Sequence, residues 1–271
     1  MKKAIVCVRN FTLLVSILSL STTSVSAQIS PKPLPLSEAQ LASYRTNLHS
    51  SFQNAKEVAL ITLGLARDTA SVMQIAALFG EPWQLRPAVA WSLGHIRGKA
   101  ALAALLERAA SPDYGRYVIP ALGDLGDTAA VQPLIELLQN SDVHGRAAAA
   151  GALGTLGQAR AIDALLPLLD DRGVATLVTI EGITWNGDKA TVAPGTLFSG
   201  VAVRSAALDA LVQLNNRRAL APVEARLATE TDEKFRASLS VAVEKLKLAP
   251  VPKPPVKAKP AVKPKAPIKR K

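Results

Sequence analysis

The sequence has one cysteine, three histidines, and few aromatic residues: three Trp, three Tyr and five Phe in 271 positions. A lone cysteine excludes a disulfide scaffold and any CxxC-type zinc or redox site. His49, His95 and His144 stand far apart and leave little material for a metal centre. The glycines fall into neither GxGxxG nor GxxxxGK[ST], so no phosphate-cradling loop is present. A GxSxG elbow and an HExxH helix are also missing. The apolar run Phe11–Leu20 is ten residues long, too short to span a bilayer core of about 30 Å as a helix.

Acidic residues are absent from both ends of the chain, and this explains most of the formal charge of +11. Lys2, Lys3 and Arg9 precede the apolar run, and Val25-Ser26-Ala27 supplies small residues before Gln28. Residues 1–27 therefore read as a secretory signal peptide, which predicts an exported protein, periplasmic or extracellular, with no transmembrane segment after cleavage. Cleavage would also remove Cys7, leaving a chain suited to an oxidising compartment.

Residues 249–271 alternate proline with lysine and read as a disordered, extended tail. Lys253, Lys257, Lys259, Lys263, Lys265, Lys269, Arg270 and Lys271 give it eight positive charges. Two readings of the tail stand: a solubilising spacer, or an electrostatic tether to an anionic envelope polymer or lipid surface. With no aromatic residue interleaved, nucleic acid is disfavoured as its partner. Once these ends are set aside, Gln28–Leu248 holds 21 basic against 21 acidic residues. The body is neutral.

That body repeats with a period near 30 residues. Aligned on a Leu-Gly pair, the repeats place Gly64, Gly94, Gly123, Gly154 and Val212 in register, with spacings of 30, 29, 31 and 58. Seven residues later comes a small residue and then an aliphatic one: Ser71-Val72, Ala101-Leu102, Ala130-Val131, Ala161-Ile162 and Ala219-Leu220. Eight residues earlier comes a basic one, Lys56, Arg86, Arg146 or Arg204, while the third unit has Gly115 there.

Each unit reads as two helices, with the aligned glycine stopping the first as a C-cap. Pro133 and Pro222 fall near second-helix starts, and Pro120 predicts a kink in a first helix. A helix pair cannot bury its apolar face alone, so the fold class is an all-α, right-handed solenoid of stacked pairs. Residues 51–171 hold repeats 1–4, and 201–248 hold repeat 5 and a terminal half-repeat. A Pro-rich linker (28–36) and a capping helix (37–50) precede them, the helix opening on the capping box Ser37–Gln40.

Residues 172–200 break the pattern over the length of one period. Asn186-Gly187, flanked by ITW and DKATV, predicts a β-hairpin with strands near Leu177–Trp185 and Lys189–Val192. The insert reads as a degenerate repeat, a surface elaboration, or a binding loop whose contact cluster is Trp185, Asn186 and Asp188. Glu107 and Glu136 occupy equivalent second-helix positions and form a short acidic strip, a second candidate partner surface. Asp170-Asp171 reads as an end-of-repeat cap for the following helix. The aligned basic residues read as a structural ladder rather than an anion stripe.

The unit Asp142–Asp171 (DVHGRAAAAGALGTLGQARAIDALLPLLDD) resembles the HEAT-like repeats named after phycobilisome lyases, over about residues 51–171 and 201–248. The resemblance implies the solenoid fold. It is shared by lyase subunits, transport factors and scaffolds, and the best-known enzymes of the family attach bilins to phycobiliproteins. It is also similar to the deoxyhypusine hydroxylases, but no histidine here is followed by Glu as their paired motif requires. The leading expectation is an exported, non-catalytic scaffold or adaptor that binds a protein partner, uses no cofactor, and is held in place by its cationic tail. The alternatives are a lyase-like or chaperone-like accessory subunit of an enzyme, and a tail-mediated binder of anionic polymer or nucleic acid.

Overall fold

The computed structural model describes residues 32–140, 142–177, 183–186, 189–192 and 199–251. Among these, twelve α-helices form, none long and apolar enough to cross a membrane. The first, α1 (Glu38–Asn47), opens on Ser37. The Ser37 hydroxyl accepts from the Gln40 amide at 3.3 Å, and the Gln40 side-chain oxygen accepts from the Ser37 amide at 2.9 Å. Five pairs follow: α2 (Gln53–Ala66) with α3 (Val72–Ala77), α4 (Arg86–Ile96) with α5 (Lys99–Ala109), α6 (Gly115–Leu125) with α7 (Val131–Asn140), α8 (Val143–Leu156) with α9 (Ile162–Leu165), and α10 (Val203–Gln213) with α11 (Leu220–Thr229). A final helix, α12 (Glu233–Lys247), packs on α10 and α11.

The first helices form one row, α2 on α4, α4 on α6, α6 on α8 and α8 on α10. Alanine and leucine favour this local structure, but helices of 10–14 residues hold mainly through the core they bury. The leucine before each aligned position, Leu63, Leu93, Leu122, Leu153 and Leu211, is completely buried. Each contributes roughly 2–3 kcal/mol by leaving water. The small residues that start the second helices, Ser71, Ala101, Ala130, Ala161 and Ala219, are also fully buried. The product is an α-solenoid.

The aligned glycines do not end their helices. Gly64, Gly94, Gly123 and Gly154 lie inside α2, α4, α6 and α8, each two residues before the end. Their use is in packing. A Cβ built on Gly94 would sit 2.8 Å from the Ala121 carbonyl oxygen, one on Gly123 would sit 3.0 Å from the Cα of Ala152, and one on Gly154 would sit 2.8 Å from the Cα of Ala210. Gly64 meets Ser92 in the same way, its Cβ 3.1 Å from that Cα. Each glycine therefore lies against the small residue two places before the next repeat's aligned position. The left-handed C-cap conformation belongs instead to Arg67, Gly126 and Gly157. Helix α6 continues through Pro120, which is exposed, and ends only at Leu125.

The insert is not a repeat of the stack. Helix α10 packs directly on α8, so the 58-residue spacing between Gly154 and Val212 covers one structural step. The intervening chain leaves and returns through two strands, β1 (Val174–Leu177) and β4 (Ser199–Ala202), paired antiparallel from Val174 opposite Ala202 to Leu177 opposite Ser199. Beneath them the Val203 amide donates to the Gly173 carbonyl at 3.0 Å. Further out, β2 (Ile183–Asn186) pairs antiparallel with β3 (Lys189–Val192). Leu177 and Trp185 thus belong to two different strands, β1 and β2, and not to one.

Candidate functional site

The second helices carry the acidic strip. Glu107 on α5 and Glu136 on α7 are both exposed. Glu107 accepts from the Arg108 Nη1 at 3.0 Å, and Glu136 from the Gln132 Nε2 at 3.4 Å. The corresponding Ala77, Pro167 and Ala225 are exposed and uncharged, so the strip ends at two carboxylates. In the insert, Trp185 lies opposite Ala190 and Asn186 opposite Lys189. Asp188 and the cations Lys253, Lys257, Lys259, Lys263, Lys265, Lys269, Arg270 and Lys271 lie outside the described residues, as does the segment 1–27.

A chain of ion pairs runs along the edge where first helices begin. The basic residue of one repeat reaches an acid that opens the next: Lys56 to Glu81 at 2.9 Å and Arg146 to Asp171 at 2.7 Å. At the end of the stack Arg204 bonds both Glu230 (3.3 Å) and Asp232, with its guanidinium 4.3 Å from the Phe235 ring centroid. The side chain of Glu230 is fully buried and also accepts from Arg226 at 2.7 Å and from the amides of Thr231 and Asp232, each at 2.8 Å. These backbone amides, more than the two arginines, hold its carboxyl below the usual range. The Arg146 hydrogen bond does the same to Asp171.

Asp170 and Asp171 therefore do not cap the next helix: Asp170 pairs with Arg226 at 2.9 Å, Asp171 with Arg146, and the residue before α10 is Ala202. At the other end, Arg45 on α1 clamps Asp68 through two parallel bonds of 2.7 and 2.6 Å, fixing the first helix to the stack.

Two features were missed in the sequence. His95, one place after its aligned glycine, stacks on Trp91 with centroids 3.8 Å apart, and its Nδ1 lies 2.9 Å from the Trp91 carbonyl. Asp124 holds the same register one repeat later; loss of surrounding water raises its carboxyl, and the nearby His95 opposes that rise. The signal was the shared position after Gly94 and Gly123. The second feature is a groove of about 320 Å³ between α10 and α12, lined by Leu208, Asp209, Val212, Val241, Ala242 and Lys245 among others. Burial raises the Asp209 carboxyl there, against the pull of Lys245. Among the described residues no group of three His, Cys, Asp or Glu is gathered for a metal.

Residues 109–182 match a family model described as HEAT repeats. Over 104 residues the chain is 45% identical to phycocyanobilin lyase subunit alpha of Picosynechococcus sp. (strain ATCC 27264 / PCC 7002 / PR-6), a match covering 34% of this chain and 38% of that protein. The chain thus spans less than half the length of this relative. Two solved structures are similar at lower identity. One is the complex of CpcE and CpcF of phycocyanin lyase from Nostoc sp. PCC7120, with a TM-score of 0.38, 23% identity, and 83% of this chain and 70% of that chain covered. The other is an engineered protein, with a TM-score of 0.44, 17% identity, and coverage of 77% and 96%.

The relationship to a lyase subunit overturns the expectation of a non-catalytic scaffold held by its cationic tail; it favours the accessory-subunit alternative. The chain carries HEAT repeats, stacked as an α-solenoid.

Proposed function

We propose that this protein is a lyase-like accessory subunit, a solenoid that holds a ligand or a partner protein for a reaction completed in a larger assembly. The observation that carries the reading is the 45% identity over 104 residues to phycocyanobilin lyase subunit alpha. The exposed second-helix positions Glu107 and Glu136 offer surface for such a role. Stacked repeats supply a broad face of fixed curvature, suited to holding an extended molecule in one conformation.

The test is direct. Protein lacking residues 1–27, mixed with phycocyanobilin, should shift and sharpen the pigment's visible absorbance and saturate near one pigment per chain. An unchanged spectrum across the titration would remove the lyase-like reading. Export belongs to the same proposal, supported by the basic, apolar and small-residue order of residues 1–27. Expressed with that segment in an exporting host, the mature protein should begin at Gln28; recovery of an intact N-terminus would count against export.

A further inference from the structure

The ladder of ion pairs departs at two rungs: repeat 3 has Gly115 in place of the cation, and repeat 2 keeps its cation without a paired acid. In repeats 1, 4 and 5 the basic residue finds a carboxylate at the opening of the next unit: Glu81 for Lys56, Asp171 for Arg146, and Glu230 with Asp232 for Arg204. In repeat 2 the basic residue is Arg86, and the corresponding stretch of the next unit, Ser111 to Tyr114, holds one acid, Asp113, which is exposed and forms no ion pair with Arg86. Among the described residues no carboxylate forms an ion pair with Arg86, and its buried Nε has no hydrogen-bond partner. An unpaired buried guanidinium N–H is costly, since desolvation of the donor is not offset.

What surrounds Arg86 stabilises the cation without accepting from it. Its guanidinium lies 4.5 Å from the centroid of the Tyr114 ring. That ring meets Phe79 edge-on at 5.6 Å, and Arg108 lies 5.1 Å from the Phe79 centroid. Two guanidinium groups thus share one aromatic pair, and only Arg108 has a carboxylate, Glu107. The neighbouring turn, Ser111 to Asp113, is open to solvent at Pro112 and Asp113.

We propose that Arg86, backed by Tyr114, is a binding site for a carboxylate, which occupies the place taken in the other rungs by Glu81, Asp171 or Asp232. The ligand completes the rung from outside. Carboxylate is the matching chemistry because every acceptor the fold uses at this position is a carboxylate, one for Lys56 and Arg146 and two for Arg204, and a guanidinium receives it through parallel N–H bonds. The site stands independently of the lyase-like reading, because it rests on Arg86 and its neighbours alone.

The experiment follows the Nε–H resonance of Arg86 by ¹⁵N–¹H spectroscopy in the full chain, assigned by its loss in Arg86→Gln. Two probes are titrated at constant ionic strength against sodium chloride: propionate, and a blocked glutamate dipeptide. A saturable downfield shift with propionate supports a free carboxylate ligand; saturation with the dipeptide alone supports a partner's acidic side chain. Ser111→Asp restores an internal acceptor and should weaken either probe by about tenfold or more, the scale of one charge-assisted bond. No saturable shift with either probe would overturn the proposal. A shift matched by chloride would overturn it as well, and so would one that persists unchanged in Ser111→Asp.

Discussion

The junction between α8 and α10 and the junction between α10 and α12 use the same helix, α10, on its two sides, yet they are built differently. On one side Gly154 allows the backbone of α10 to approach until a Cβ would be 2.8 Å from the Cα of Ala210. On the other, the aligned position is Val212, which stands at the wall of a groove of about 320 Å³. One missing side chain sets how closely two helices pack. At Val212 a groove lies between the helices, with Asp209 and Lys245 in its lining.

The comparison breaks first at Gly154. Gly154→Val puts a branched side chain against backbone and against the Gln213 side-chain oxygen, also at 2.8 Å. It should cost about 3 kcal/mol, the upper range for overpacking, read as a fall in the denaturant midpoint. Next comes the ladder beside the same junction. Arg146 holds the Asp171 carboxyl below its ordinary value of 3.8, so the pair's contribution is present above that pH and is lost as pH falls through the folded value. Arg146→Ala should therefore cost about 1 kcal/mol at pH 7 and progressively less below pH 4, when urea melts are compared with wild type across that range. The smallest effect belongs to the open side. Ser238→Leu adds bulk where the groove has room, and should change stability by within about 0.5 kcal/mol in the same melts.

Periodicity carried the reading of the fold, because the buried leucines Leu63 to Leu211 and the small residues Ser71 to Ala219 recur where each helix meets its neighbours. The same text misled on two points. A glycine near a helix end reads equally as a C-cap or as a close contact, and only the facing Ala121, Ala152 and Ala210 decide between them. The insert occupies one period by length, and spacing alone does not distinguish a degenerate repeat from a looped-out segment. The ladder was visible as a register of cations, since its acids lie about 25 residues away at the next unit's opening. The unpaired cation Arg86 was not visible, because Ser111 to Tyr114 becomes informative only once the other rungs have shown where a carboxylate belongs. Glu107 and Glu136 hold equivalent exposed positions on α5 and α7, Glu107 bonded to Arg108 and Glu136 to Gln132.

The paired strands β1 and β4 bear on how the chain finds this arrangement. To join α8 and α10, the chain must close over the second helix of repeat 4 and the whole insert, a span between two and three times that at the other junctions. Closure entropy grows only logarithmically, so the added cost is about 1 kcal/mol for an unstructured loop. With Val174–Leu177 zipped to Ser199–Ala202, the insert closes upon itself, and the distance left for α10 to search is that of an ordinary repeat. The four strand residues on each side act as a hinge pin. Beyond them, the sequence of the excursion can change with little effect on the folding of the stack it interrupts.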